Sequence, residues 1–287
     1  MPILHFVSDL HGDIARYRKL FGSILTDSPL AVFLGGDLLP PLSFARESDN
    51  NGIFDFIRDY LAREFASLKE IMGSKYPRVF IILGNDDPRS EEPAVLEVEK
   101  SGLWEYLHFR KSSLDSHDLF GYACVPPSPF MIKDWERYDV SRYLEPGDIS
   151  PEEGIHTVAS SVRKIRHGTI KKDLQELIGA SYSDKAIFLF HAPPYNTSLD
   201  LIAAGNRLID GVPRDTHQGS IAIRDFIDSR QPFLTMHGHI HESSRLSGKW
   251  KETLGKTVII SAAYDGPELA LIRIDPTRPF EATRELI

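Results

Sequence analysis

Sulfur chemistry is nearly absent from this chain: its single cysteine, Cys124, excludes an internal disulfide, a thiolate zinc cluster and dithiol redox exchange. Also lacking is any apolar run near the roughly 18 residues that a membrane span needs. The opening residues, Met1-Pro2-Ile3-Leu4-His5-Phe6-Val7-Ser8-Asp9, have no basic region and lose their apolar character at Asp9, which makes a poor signal peptide. A soluble, cytoplasmic protein without a membrane partner is expected. Positive charge is in deficit, with 33 basic against 41 acidic side chains and a net charge of −8. That balance argues against general nucleic-acid binding, which calls for a basic surface. There is no P-loop and no dinucleotide fingerprint, so no nucleotide cofactor is expected. Internal repeats and low-complexity tracts are missing as well.

What is present is an ordinary globular composition, 41% hydrophobic and 26% charged. A chain of 287 residues buries a core without help from a disulfide or a metal. Ile3–Ser8, Leu30–Leu34, Arg78–Leu83, Ala186–Phe190, Phe233–Met236, Thr257–Ser261 and Leu269–Ile274 read as strands, nearly continuous in apolar residues and so buried on both faces. Apolar residues at 53, 57, 60, 61, 65, 68 and 72 predict a helix over Ile53–Met72. Shorter helices are expected at Asp13–Leu25, Asp173–Ile178 and Ile221–Asp228. Such alternation predicts an α/β layered fold. Pro40–Asn51 reads as a loop. Pro126–Ser183 reads as an insertion packed over one edge of a single domain spanning 1–287.

The chemistry lies at five strand exits: Asp9-Leu10-His11, Gly35-Gly36-Asp37, Gly84-Asn85-Asp86-Asp87, His191-Ala192-Pro193-Pro194 and His237-Gly238-His239-Ile240-His241. In open α/β sheets a ligand site lies outside the carboxyl ends of the strands. Residues i and i+2 of an extended chain point the same way, so Asp9 with His11, and His239 with His241, can each grip one ion. Glycines before Asp37, Asn85 and His239 let the backbone approach closely. Imidazoles mixed with hard oxygens, and no thiolate, suit Mn²⁺, Fe or Zn²⁺ better than Ca²⁺ or copper, with manganese favoured. A lone buried histidine is more often a core residue, and a lone strand-terminal aspartate a cap. Five such exits in succession outweigh those readings.

These motifs, DLH, GGD, GNDD, HAPP and GHIH, resemble the calcineurin-like metallophosphoesterase superfamily pattern over Asp9 to His241. The resemblance implies a four-layer αββα sandwich that holds two divalent metals. By position, Asp9, His11, Asp37 and His241 would hold the first metal. Asp37, Asn85, His191 and His239 would hold the second, with Asp37 bridging. The implied reaction is phosphoester hydrolysis by a hydroxide that bridges the metals. Its substrate would be a small phosphoester, nucleotides included. Asn85 could also donate its amide to a phosphate oxygen.

The family's G-N-H reads Gly84-Asn85-Asp86 here, so the histidine that helps a leaving oxygen depart is an aspartate. Asp87 must then find a partner other than that histidine. An anion about 6 Å from an ionised Asp86 is repelled by roughly 3 kcal/mol per unit charge at an effective dielectric near 20. A monoester dianion feels this twice and a diester monoanion once, which favours phosphodiesters. Family members without the histidine tend the same way. Leu38-Leu39-Pro40-Pro41 follows Asp37 without the arginine of the protein-phosphatase branch, which argues against that activity. The rival readings are a metal-binding scaffold without catalysis, and a nuclease or phosphomonoesterase of the same superfamily.

Weaker signals carry two readings each. Gly219-Ser220 precedes a helix, as either a phosphate site or a serine N-cap. Lys133-Asp134-Trp135-Glu136-Arg137 offers either a stacking ring with phosphate-binding cations or a packing anchor. Arg163, Lys164, Arg166, Lys171 and Lys172 form a basic stretch that either steers anions or is a solvated face. His237 falls on no ligand position, and Cys124 reads as a small buried hydrophobe.

Overall fold

The strand-length apolar runs do what their composition dictates. In the computed structural model, which describes residues 2–41, 55–179, 184–203, 208–209, 212–213 and 215–287, they form the middle of two stacked sheets. In chain order the elements are β1 (Leu4–Val7), α1 (Ile14–Asp27), β2 (Ala31–Gly35), α2 (Arg63–Met72), β3 (Arg78–Ile82), α3 (Glu92–Glu99), β4 (Glu105–Tyr106), β5 (Arg110–Leu114) and β6 (His117–Tyr122). They continue with α4 (Val162–His167), α5 (Ile170–Ile178), β7 (Ile187–Phe190), β8 (Leu208–Ile209), β9 (Val212–Pro213) and α6 (Ile221–Arg230). The last are β10 (Leu234–His237), α7 (Ser243–Ser247), β11 (Lys251–Leu254), β12 (Thr257–Ser261), β13 (Ala270–Ile274) and β14 (Thr283–Leu286).

One sheet runs β14-β13-β1-β2-β3-β4 and the other β11-β12-β10-β7-β6-β5. In the first, β1 to β4 are parallel, while β13 and β14 pair antiparallel. In the second, β6, β7, β10 and β12 are parallel and the two edges are antiparallel. The architecture is the expected α/β sandwich, with helices outside both sheets. On the first side, Phe21 of α1 meets Phe65 of α2 edge-on at 5.2 Å and Tyr17 of its own helix at 5.9 Å. On the second, Phe226 of α6 closes on Phe188 of β7 at 4.8 Å, and Phe188 stacks on Phe120 of β6 at 4.7 Å. No helix among the described residues is long and apolar enough to cross a membrane.

The helix predicted over Ile53–Met72 begins at Phe56, as a π-helical turn (Phe56–Ala62) capped by Asp55 that continues into α2. Residues 53 and 54 lie outside the described residues, as do 42–51 of the predicted loop and 180–183 of the predicted insertion. Within that insertion, α5 packs on α6, and its Asp173 accepts a 2.7 Å hydrogen bond from Tyr122 of β6. The segment before α4 is held by isolated bridges, Val125 to Glu136 and Ile132 to Ile155.

The Lys133–Arg137 stretch is an anchor, not a binding surface. Trp135 is fully buried and donates to the Asp87 carbonyl at 2.7 Å, with the Arg89 guanidinium over its ring. Lys133 is fully buried too, paired with Glu136 at 2.5 Å and donating to the Ser128 carbonyl. Burial pushes the Glu136 carboxyl up to about 7 against the pull of Lys133. Replacing one member of such a pair strands the other charge, at about 3 kcal/mol or more. We expect Lys133→Met to lose that much stability in urea unfolding, and Lys133→Met/Glu136→Gln to recover part of it. Equal stability of Lys133→Met and wild type would remove the pair from the fold's support.

Candidate metal centre

Three exits of the first sheet and two of the second meet at one end of the sandwich. The chain leaves β1 through Asp9 and His11, β2 through Asp37 and β3 through Asn85 and Asp86. It leaves β7 through His191 and β10 through His239 and His241. The sheets touch directly here, because the His191 ring donates from Nδ1 to the Gly35 carbonyl at 2.8 Å. That bond fixes the tautomer and leaves Nε2 with a lone pair for an electrophile.

Two donor groups result, each with ligand atoms within 4.8 Å of one another: Asp9, His11, Asp37 and His241 in one, Asp37, His191 and His239 in the other. Asp37 belongs to both. In the first group His11 Nε2 and His241 Nε2 lie 3.1 Å apart, and His241 Nε2 is 3.2 Å from Asp9 Oδ1. In the second, His191 Nε2 is 3.2 Å from Asp37 Oδ2, and Asn85 adds its side-chain Oδ1 at 3.1 Å from the same nitrogen. Bonds of about 2.1 Å to one cation place neighbouring octahedral donors about 3 Å apart, so these separations fit transition-metal coordination. All seven expected ligands are brought together.

The backbone is forced into this arrangement. Asp9, His11, Asp37 and His239 have φ of 57°, 46°, 51° and 73°, the left-handed region that side chains other than glycine avoid. Strain concentrated on proposed ligands is strain that the surroundings hold in place. Asp9 N–H donates to the Gly36 carbonyl at 3.0 Å and His11 N–H to the Asp37 carbonyl at 2.8 Å. His239 N–H reaches Asp9 Oδ1 at 3.0 Å, and Asp86 N–H reaches Asp37 Oδ1 at 2.8 Å. Gly36, at φ 98°, leaves no room for a side chain: a Cβ there would stand 2.6 Å from His191 Nδ1. Arg16, which sequence reasoning missed, donates to the Asp9 carbonyl at 2.9 Å. Nothing in the pattern around α1 singles that arginine out.

Charge follows the geometry. Burial would raise Asp9 and Asp37, but the hydrogen bond from His241 to Asp9 and the charge of His191 beside Asp37 hold both carboxyls below their usual range. Burial would lower His191, yet Asp37 and Asp9 raise it to about 10. His239 is driven down to about 3, by burial first and then by His191. Two buried carboxylates held ionised among histidine rings form a pocket suited to positive charge.

Asp86 stands at the mouth, its side chain 50% exposed and 3.7 Å from His11 Nδ1. Burial and the charge of Asp37 push its carboxyl up. Asn85 donates one amide N–H to Asp86, at 3.0 Å from Nδ2 to Oδ1, and its NH2 carries a second. Asp87 finds its partners in the backbone, accepting from the N–H groups of Leu38, Leu39 and Gly84 at 2.8 to 3.1 Å. Its carboxyl is pushed up to about 8 by burial and Asp37, against those three bonds. His237 turns away from the ligands. It stacks on Phe190, with its ring nitrogens on Thr235 and the Ala192 carbonyl.

Gly219-Ser220 is a cap. Ser220 accepts from Ile223 N–H, while Asp139 accepts from Ser220 Oγ and from the N–H groups of Ile221 and Ala222, so a carboxylate already fills the α6 N-terminus. In the basic stretch, Arg166 pairs with Glu152 at 2.7 Å, as on a solvated face. Cys124 is buried, its thiol raised to about 11 by desolvation.

Loss of a donor from the second group, the shared Asp37 or His191, should weaken metal binding without unfolding the sandwich. Asp37→Asn and His191→Ala, each reconstituted with Mn²⁺, should retain metal at least about 100-fold more weakly than wild type by competition with a chelator dye, with an unchanged circular dichroism spectrum. Wild-type metal retention by either variant would refute the ligand assignment.

A family model described as calcineurin-like phosphoesterase matches residues 1–243. No curated protein matches the chain. Among solved structures, TT1561 of Thermus thermophilus is 17% identical, covering 99% of this chain and 98% of its own, with a TM-score of 0.55. A dimetal phosphatase from Danio rerio is 12% identical, covering 95% of this chain and 91% of its own, with a TM-score of 0.51. At these identities the likeness is one of fold.

Proposed function

The chain belongs to the calcineurin-like phosphoesterase family, and on that premise we propose that it hydrolyses phosphodiesters with two divalent cations held at the strand exits, manganese being the favoured metal. The observation that carries this reading is the single carboxylate, Asp37, shared by two donor groups. The donor set fits such ions: imidazoles, carboxylates and one amide oxygen, without sulfur. Asp9, His11, Asp37 and His241 would hold one cation, and Asp37, Asn85, His191 and His239 the other. Bound there, divalent cations supply Lewis-acid charge for the phosphoryl oxygens and lower the pKa of water.

The chain's own residues account for the rest. Asp37 keeps the two donor groups in register, and the Gly35 carbonyl keeps the His191 Nε2 lone pair aimed inward. Asp86 sets the charge at the mouth. Being half-exposed, its carboxylate is screened, and its repulsion of a phosphoryl anion falls to about 1 kcal/mol per unit charge. That still discriminates about fivefold between a monoester dianion and a diester monoanion. Asp86 also lies beside His11, where it can steady that ring.

Reconstituted with Mn²⁺ and screened on monoesters, cyclic nucleotides and linear diesters, the protein should give the higher kcat/KM on diesters for a common leaving group. A tenfold preference for monoesters where Asp86 is ionised would overturn the diester reading. Asp86→His should move the ratio about tenfold toward monoesters. A folded, metal-loaded Asp86→His with an unchanged ratio would show that position 86 does not set selectivity.

A further inference from the structure

With aspartate at position 86, the centre holds no histidine placed to protonate a leaving oxygen as the family pattern does. Another histidine, outside every motif, is built for proton transfer. His217 Nδ1 is 2.8 Å from Asp200 Oδ1, and Asp200 is fully buried. Asp200 also accepts from the N–H groups of Asn196, Thr197 and Gly219 at 2.9 to 3.1 Å, so it cannot swing away from the ring. The His217 backbone is fixed as well, by its N–H on Asp215 and a bridge to Leu201. Tyr195, whose hydroxyl donates to Asp215, meets the ring edge-on at 5.9 Å. His217 Nε2 makes no hydrogen bond among the described residues, and its side chain is 24% exposed. A carboxylate held by three backbone donors, orienting an imidazole with an open Nε2, is the arrangement of an acid–base dyad.

Its position is at the catalytic end of the sheet. Two residues beyond His217, Gly219 and Ser220 lie on the chain that leaves His191: Ser220 N–H donates to the Pro193 carbonyl at 2.9 Å, and Tyr195 N–H to the Ser220 carbonyl at 3.0 Å. Ala203 N–H donates to Glu242, the residue after His241. The described residues that flank the dyad are therefore pinned beside the exits of β7 and β10, both of which bear proposed ligands.

We propose that His217 is a further catalytic residue, the general acid for the departing oxygen, with Asp200 as its positioning residue; this rests on the phosphodiesterase reading above. Water supplies the oxygen that bonds to phosphorus and gives up one proton to solvent. As the P–O bond to the leaving group breaks, its electron pair stays on the departing oxygen, which takes the proton from Nε2. The ring is left neutral, its Nδ1–H still on Asp200, and regains a proton from solvent.

The test compares two diesters on Mn²⁺-loaded protein: nitrophenyl methyl phosphate, whose leaving group needs no proton, and a glycerophosphodiester, whose alkoxide does. His217→Gln should lose about 100-fold more kcat/KM on the alkyl ester than on the nitrophenyl ester, with wild-type metal content. His217→Asn, which can still donate an N–H to Asp200, should show the same split and stands in if the glutamine variant fails to fold. Equal loss on both esters, or none, would overturn the assignment while leaving the phosphodiesterase reading intact. A metal-loaded wild type that hydrolyses neither ester would overturn that reading and this assignment with it.

Discussion

The carboxylate of Asp37 is the point through which the two sheets communicate. It leaves β2 of the first sheet with its backbone in a left-handed conformation, and its oxygens reach His191 from the second sheet and the Asp86 N–H from its own. A fully buried carboxylate is expensive unless it is paired. Here the pairing comes from residues nearly fifty and more than one hundred and fifty positions away along the chain. Gly36 and Gly84 are small because the space a Cβ would occupy is taken by His191 and by Asp37 itself. The glycines, the strained φ values and the cross-sheet hydrogen bond are consequences of placing that one group.

Much of this was legible in the sequence because the central strands are nearly continuous apolar runs and the motifs sit just past their ends. The interior strand β6 was not read as one, and the edges were not legible either, for a physical reason. β5 carries Arg110, Lys111, Ser112 and Ser113, β11 begins Lys251-Glu252-Thr253, and β14 reads Thr283-Arg284-Glu285. Charged and polar side chains blunt an exposed edge against pairing with another chain, and they erase the apolar signal that marks a strand. The hairpin of β5 and β6 turns through Asp115 at φ 51°, a residue that tolerates this conformation without announcing it as glycine would.

Site legibility failed in a different way. Short motifs name groups that act on a ligand, but not those that act on other groups. The partners of Asp87 are backbone N–H groups, which no side-chain pattern encodes. Arg16 reaches the Asp9 carbonyl from the first turn of α1. Lys133 and Trp135 left two readings open for the converse reason, since residue types that commonly meet phosphates and bases also make good anchors once fully buried. His217 and Asp200 are seventeen positions apart and join where Leu201 and His217 bridge antiparallel, with Ile202 N–H on the Thr216 carbonyl.

The two sheets divide the donor set unevenly. The first contributes both buried carboxylates, the asparagine and His11, while the second contributes only imidazoles, His191, His239 and His241. Each half alone would be a poor site: carboxylates that repel one another on one side, and neutral or cationic rings on the other. Stacking the sheets brings the halves together, and hydrogen bonds that link them there, His191 to the Gly35 carbonyl and His239 N–H to Asp9, lie at the centre itself. A cation gripped by both halves would therefore act as a clamp across the interface. A ligand that binds only the folded state stabilises it by about 4 kcal/mol at a thousandfold excess over its dissociation constant. The residues proposed to hold the metals are thus also the residues through which metal would reinforce the sandwich, because the same Asp37 carboxylate serves both sheets.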